Sequence, residues 1–486
     1  MFRTQTLLMS IAAALIATAS AAQPAAGGDG ELYYGFTRVD PNAQQRVLDS
    51  WVVVKGGRIA EIGAGTPPAG DFSARRNMTG FYGMPGLIDA HAHITIAPFE
   101  TGVENGAPFV GFKWGDEYSR SNAAIALAFG ITTVRNPAGV TAANQQYDAM
   151  IASGAWAGPE ARHAGAIIQP PPSGGDAFAY PTTPAEWNAE AADQAAAGMT
   201  YFKLYTDLTE GEIASGIAAA RAHGLIPIAH VDGVSWTRAA ELGVRQIEHA
   251  LPTSPDLLRA EARARFMRDP FSRHMFTWFE LADLDGPLVR QMIDTLLEQG
   301  VVVDLTLMVN EIVYNADRFD ALLPKQDYYH PDTDAAARGN YAAIARTWSE
   351  EDFTRARAVW PKVLRFAKLL YDAGVPLMIG TDGTGGTPVY ARELSHHVEA
   401  GIPAWDVLRM ATSGNADLMG LGEQTGRVAK GYEADLVFLS ADPSEDVRNV
   451  GEVALVVSNG AAHEPQSLLA IAHSIADAAR AQRLSQ

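Results

Sequence analysis

Met84-Pro85-Gly86-Leu87-Ile88-Asp89-Ala90-His91-Ala92-His93 decides how this chain is read. Gly86 to Ile88 reads as a short buried strand opened by a Pro-Gly turn. Side chains alternate along a strand, so His91 and His93 fall on one side and Ala92 on the other. Two imidazoles on one face at a strand end are half of a transition-metal chelate. Such a pair also fits one turn-capping histidine beside one core histidine, so the other ligands must appear downstream at strand ends.

Outward from this stretch, apolar runs alternate with helical patterns. The strand candidates are 87–94, 131–136, 163–168, 200–205, 226–231, 246–250, 301–307 and 376–381, with Ala- and Leu-rich helical patterns between most of them, such as 210–223 and 361–373. Eight strands, each followed by a helix, predict an α/β fold, a (β/α)8 TIM barrel over 83–424. Catalytic groups in such barrels sit at the C-terminal ends of the strands, a strict test for any ligand. Two stretches, 252–284 and 310–360, exceed what a βα connection needs. Each follows a strand's C-terminal end, so both are expected to overhang the site as lids or recognition segments.

The chain ends read differently. Short β-like runs at 32–39, 46–55 and 58–62, joined by Gly56-Gly57, form a meander within 23–82. Runs at 426–428, 434–439 and 453–458 fall within 425–465, and together the two ends predict a small β-sandwich, followed by a tail at 466–486. Arg3, the apolar run Leu7 to Ala17 and the small residues Ala19-Ser20-Ala21-Ala22 predict a signal peptide over 1–22, hence an exported protein, periplasmic or secreted.

Removing Arg3 from the 37 basic residues leaves 36 against 56 acidic ones, a net charge of −20. That balance argues against nucleic acid and anionic membranes as partners. The chain has no cysteine, which excludes disulfides and thiolate metal sites. A homo-oligomer is compatible with the long insertions, which offer surface for contacts between copies.

Candidate ligands fall where the barrel requires them. Lys203 lies in Tyr201-Phe202-Lys203-Leu204-Tyr205, an apolar strand in which an unpaired ammonium is costly to bury. His230 ends Ile226-Pro227-Ile228-Ala229, His249 ends Gln246-Ile247-Glu248, and Asp382 follows Leu377-Met378-Ile379-Gly380-Thr381. Each sits at the end of a different strand, in barrel order one, four, five, six and eight. Singly, His230 or His249 fits a core histidine; together the set is hard to explain as packing.

At this point the chain resembles the amidohydrolase superfamily, in particular its imidazolonepropionase-like branch with the secreted Xaa-Pro dipeptidases. The likeness rests on the opening stretch, Gly130-Ile131-Thr132-Thr133-Val134-Arg135, Phe202-Lys203-Leu204, Ala229-His230-Val231, Ile247-Glu248-His249-Ala250 and Gly380-Thr381-Asp382. Ala411 to Ala416, Gly426-Arg427-Val428 and Gly431 to Val437 complete it. The resemblance implies two divalent metal ions, most often zinc. His91, His93 and Asp382 hold the buried ion, His230 and His249 the exposed one, and a carboxylated Lys203 bridges them. It also implies hydrolysis of amide bonds, peptide-like or in N-acyl amino acids, by a hydroxide held between the metals, with Asp382 as proton shuttle. Asn136 stands where the family usually has Asp.

Three alternatives stay open. A lactonase or esterase would use the same binuclear site. A mononuclear deaminase typically carries Glu three residues after the strand-five histidine, where this chain has Gly233. A metal-loaded binding protein without catalysis would not need Asp382. For the substrate, a small molecule or short peptide, Tyr205 and Arg135 are the expected contacts: a phenol or guanidinium near the metals suits the α-carboxylate of an amino-acid leaving group.

Overall fold

The structure, a computed structural model, describes residues 30–104, 107–170, 174–384 and 389–485. The expected signal peptide lies outside the described residues. The chain is a mixed α/β protein whose parallel strands are consistent with a TIM-barrel-type fold.

Eight parallel strands carry the central region: β1 (Leu87–Asp89), β2 (Ile131–Asn136), β3 (Glu160–His163), β4 (Tyr201–Leu204), β5 (Ile226–Ala229), β6 (Gln246–Glu248), β7 (Val302–Asp304) and β8 (Leu377–Met378). β1, β2 and β3 pair in one ladder and β4 to β8 in another. Hydrogen bonds cross both gaps. Thr200 N donates to His163 O at 2.8 Å, and Ala90 N to Ile379 O at 3.0 Å. The third strand is broken: a bridge at Ala164 and a short strand at Ile167–Ile168 continue the contact with β4. His163 therefore ends β3, where the sequence reading had it begin the strand. It is buried, with Nδ1 2.9 Å from Asn136 Nδ2 and Nε2 3.0 Å from Asp148.

The two chain ends meet in one hydrogen-bonded sheet of eight strands. Glu31–Asp40, Gln45–Lys55 and Arg58–Ala64 form the meander, and Leu436–Leu439, Val453–Ser458 and Ala461–His463 join from the far end. Tyr33, Phe36, Val52, Phe438 and Val457 fill its core. No strand forms at 426–428. The opening stretch stitches the sheet to the parallel strands. Tyr82–Pro85 pairs antiparallel with Leu436–Leu439, and two residues on Leu87 is in β1. The crossing needs Gly86, because a Cβ there would stand 2.2 Å from Thr132 Oγ1.

Three elements were not legible. An antiparallel hairpin, Ile96–Glu104 with Ala107–Trp114, follows the first strand. The helix expected from 361 begins at Glu350 and runs through Pro361 to Ala373. Its start is fixed by the Ser349/Asp352 capping box and acidic first turn, and burial of Phe353, Val359, Val363 and Phe366 carries the helix through the proline. The last residues form a helix, Pro465–Ser485, that buries Leu468, Ala472 and Ala476.

The two insertions diverge. Segment 310–360 covers the strand ends with helices Leu307–Tyr314 and Pro331–Thr347. Among the described residues, none of segment 252–284 lines the cavity of about 190 Å³ that lies over these strand ends. Its Phe276, Trp278 and Phe279 pack aside, against Trp348 and Phe366. These three aromatic side chains bury large apolar areas against the neighbouring aromatics.

Candidate metal centre

The strand ends bring the expected ligands together. His91 Nε2 and His93 Nε2 lie 3.1 Å and 2.9 Å from the same Asp382 oxygen. His249 stands 4.9 Å from the His91 ring and 4.5 Å from the His230 ring. Gly380 permits the approach of the eighth strand to the first, since a Cβ there would lie 2.4 Å from that of His91. Asp382 and His249 both adopt left-handed backbone, φ 55° and 67°. Non-glycine residues pay about 1–3 kcal/mol for sparsely populated backbone, and such strain gathers at functional sites.

Three of the four imidazoles are aimed by a second partner. His91 Nδ1 is 3.1 Å from Asp304 and 3.0 Å from Glu248. His93 Nδ1 lies 3.2 Å from Ala138 O, and His249 Nδ1 lies 2.8 Å from Thr306 Oγ1. His230 Nδ1 is buried without a hydrogen-bond partner. Burial, reinforced by Lys203, lowers His230 to about pKa 4, and burial holds His249 well below the usual range. Neutral imidazoles with directed nitrogens are what metal ligation requires, and His230 and His249 meet that condition. His91 departs from it: burial lowers its pKa, but Asp382 and the hydrogen bonds to Asp304, Asp382 and Glu248 raise it to about 10.

Burial alone would raise the Asp382 carboxyl, but His91, His249 and the hydrogen bonds from His91 and His93 hold it well below the carboxylate range. Lys203 is 2% exposed, with no hydrogen bond to its ammonium among the described residues. Burial pushes its pKa down, the direction that favours reaction at Nζ. The orphaned His230 Nδ1, the partnerless Lys203 and the histidines around Asp382 fit a metal centre.

Arg135 is corrected by the structure. It is fully buried beneath the ligands and bidentate to Glu248 at 2.8 and 2.7 Å. It also donates to Asp304, Gln246 and Ala90 O. The guanidinium neutralises two buried carboxylates and leaves nothing for a substrate. Because it occupies Glu248 and Asp304, their cluster with His91 serves to orient His91, not to hold an ion. Tyr205 does line the cavity, its ring 5.0 Å from His230 and 5.7 Å from Lys203 Nζ. Asn136 lies against Thr95, Asn144 and His163 in a buried polar network.

Glu248, Asp304 and Thr306 went unread in the sequence. Part of the signal was present: Glu248, Asp304 and Arg135 are charges inside three expected strands, and such charges must find one another.

A cavity of about 190 Å³ opens over the ligands. Phe112, Ile167 and Tyr205 line one side, and Ile312, Phe319 and Tyr341, from the second insertion, line the other.

A family model described as the amidohydrolase family matches residues 82–462. An ochratoxinase from Aspergillus niger is 34% identical over 103 residues, which are 20% of this chain and 21% of that one. The match thus spans about a fifth of that relative's length. A crystal structure of a Xaa-Pro dipeptidase with methionine bound in its active site aligns with a TM-score of 0.65 at 20% identity, over 89% of this chain and 99% of that chain. A bottromycin amidohydrolase aligns at 0.66 and 19% identity, over 92% and 90%. The A. niger ochratoxinase structure gives 0.62 and 17%, over 89% and 95%. At these identities the likeness is one of fold.

Proposed function

The chain belongs to the amidohydrolase family, and from that premise we propose that it hydrolyses amide bonds at a binuclear metal centre. The observation that carries this reading is the convergence of His91, His93 and His249 on Asp382, beside Lys203 and His230, at the ends of five strands. The reading takes the parallel strands as a closed (β/α)8 barrel and the chain ends as a small sandwich. His91, His93 and Asp382 would hold one divalent ion, zinc in the first instance, and His230 and His249 a second, with Lys203 carboxylated to bridge them. That modification turns a buried ammonium, costly to leave unpaired, into an anionic oxygen ligand. Bound there, the metals would polarise a carbonyl and lower the pKa of water.

The residues supply the rest. Asp382, kept ionised by its imidazole neighbours, takes a proton as water oxygen bonds to the carbonyl carbon. It returns that proton to the amine nitrogen as the C–N bond breaks. Glu248 and Asp304 keep His91 oriented, and Arg135 balances their charge. The helices of 310–360 shield the site from bulk water.

An ester or lactone presents the same carbonyl but a leaving oxygen that needs less protonation. The test is a panel of N-acyl amino acids, Xaa-Pro dipeptides and lactones, with wild type and Asp382→Asn after zinc loading. Amide turnover that collapses in the variant supports the proposal. Turnover of lactones alone would replace it with the esterase reading. Export is part of this proposal, and a mature N-terminus after Ala22 in secreted material would support it.

A further inference from the structure

The cavity above the ligands is built from neutral material. Beyond the ligands and Lys203, no Lys or Arg lines it among the described residues. The polar groups left to meet a substrate are uncharged: the Tyr205 and Tyr341 hydroxyls and the Asn340 amide, none hydrogen-bonded among the described residues. Phe319 and Tyr341 stack with centroids 4.5 Å apart, an aromatic wall supplied wholly by the second insertion. Across from it stand Phe112 and Tyr205.

A wider groove of about 650 Å³ adjoins this cavity and shares Phe319, Leu323, Ala337 and Val389 with it. The groove does hold arginines, but they are committed. Arg338 pairs with Asp334 and Asp320, Arg392 with Glu311, and Arg448 with Asp446. An anionic substrate would have to displace those carboxylates, against a net protein charge of −19.

We propose that this site selects uncharged amides bearing an aromatic or similarly bulky apolar group, with Phe319, Asn340 and Tyr341 as specificity-determining residues. A carboxylate next to the scissile nitrogen is a liability in this pocket, the reverse of what the sequence suggested for Arg135. The inference rests on the amide-hydrolase reading above. A neutral aromatic group gains contact with the Phe319–Tyr341 wall, whereas a carboxylate loses water and finds no cation of its own.

The deciding experiment compares N-benzoylphenethylamine with N-benzoylphenylalanine, which differ only in the carboxylate beside the amide nitrogen, on zinc-loaded full-length protein. The neutral compound should show the higher kcat/KM by about 10- to 100-fold, the range expected for burying one unsatisfied polar group. Tyr341→Ala and Phe319→Leu should raise its KM with little change in kcat, and leave N-acetylmethylamine unaffected. Asn340→Arg should move the preference toward the acid. Equal kcat/KM for the pair, or preference for the acid in the wild type, overturns the inference. If neither compound turns over, the amide reading fails separately. Calorimetric titration with the same pair then still decides selectivity: tighter neutral binding upholds it, and equal binding removes it.

Discussion

Beneath the histidines, Arg135, Glu248 and Asp304 form a floor in which every charge has a partner and no group meets solvent. Above them, Phe319, Asn340 and Tyr341 form a roof that is neutral, half-buried and free of ion pairs to the ligands. The floor comes from strands, where register fixes each side chain to within a fraction of an ångström. The roof comes from one insertion, which another chain could replace without touching the ligands. Chemistry and selectivity are thus held by separate parts of the chain, and mutations should separate them.

The severest break in the floor is Lys203→Ala. It should lose both metals and reduce turnover to background, while wild type carries about two zinc equivalents by elemental analysis, the stoichiometry of a two-metal site. A short-chain carboxylic acid should restore part of the activity by replacing the missing oxygen ligand. Full metal content with normal turnover in this variant would remove Lys203 from the centre. Asp382→Asn comes next: kcat should fall by about 10²–10⁴-fold, the usual worth of a positioned proton carrier, and more for amides than for esters.

Arg135→Met tests the floor through stability. It leaves Glu248 and Asp304 buried without their cation, so unfolding free energy should drop by about 3–5 kcal/mol in urea titration. Had Arg135 been a substrate contact, the same change would raise KM and leave stability alone. Roof substitutions such as Phe319→Leu should do that instead, since the stacked pair sits over a cavity and not within the main core.

This division also explains what could be read in advance. His91, His93, Lys203, His230, His249 and Asp382 were legible because each is a polar residue within or just after a short strand run, a pattern that strand geometry turns into position. The starts of most parallel strands were legible for the same reason, but not that of the third, expected over 163–168 and found at Glu160–His163. Arg135 was misread because alternation says which strand carries a side chain, but not whether its guanidinium points to the mouth or turns under the ligands. The roof was illegible in a different way. Phe319 and Tyr341 lie in helical, amphipathic sequence whose docking direction depends on long-range packing, and 252–284 looked equivalent to 310–360 yet turned aside. His396 and His397, adjacent on the helix Tyr390–Glu399 and so pointing apart, meet separate carboxylates, Glu311 at 2.8 Å and Glu393 at 3.0 Å.

Thr306 carries the smallest expected effect and the finest test, because it sits where the floor's order meets strain. It follows β7 with φ 39°, a left-handed conformation disfavoured for a β-branched residue, and its hydroxyl lies 2.8 Å from His249 Nδ1. If the hydroxyl exists to aim His249, the strain is tolerated for the sake of the ligand. Thr306→Gly should then act in two directions. Relief of the strained backbone offsets the loss of one hydrogen bond, so stability should change by no more than about 1 kcal/mol. Metal affinity, measured by competition with a chelator, should fall by about 10–100-fold, as for other partners that orient a ligating histidine. Thr306→Ser retains the hydroxyl and should restore the affinity. Thr306→Val retains the branched strain but not the hydrogen bond, so it should lose affinity and gain no stability. If Gly and Val both bind metal as wild type does, the His249 contact is incidental, and the strain at 306 belongs to the chain's turn into the helix Leu307–Tyr314 alone.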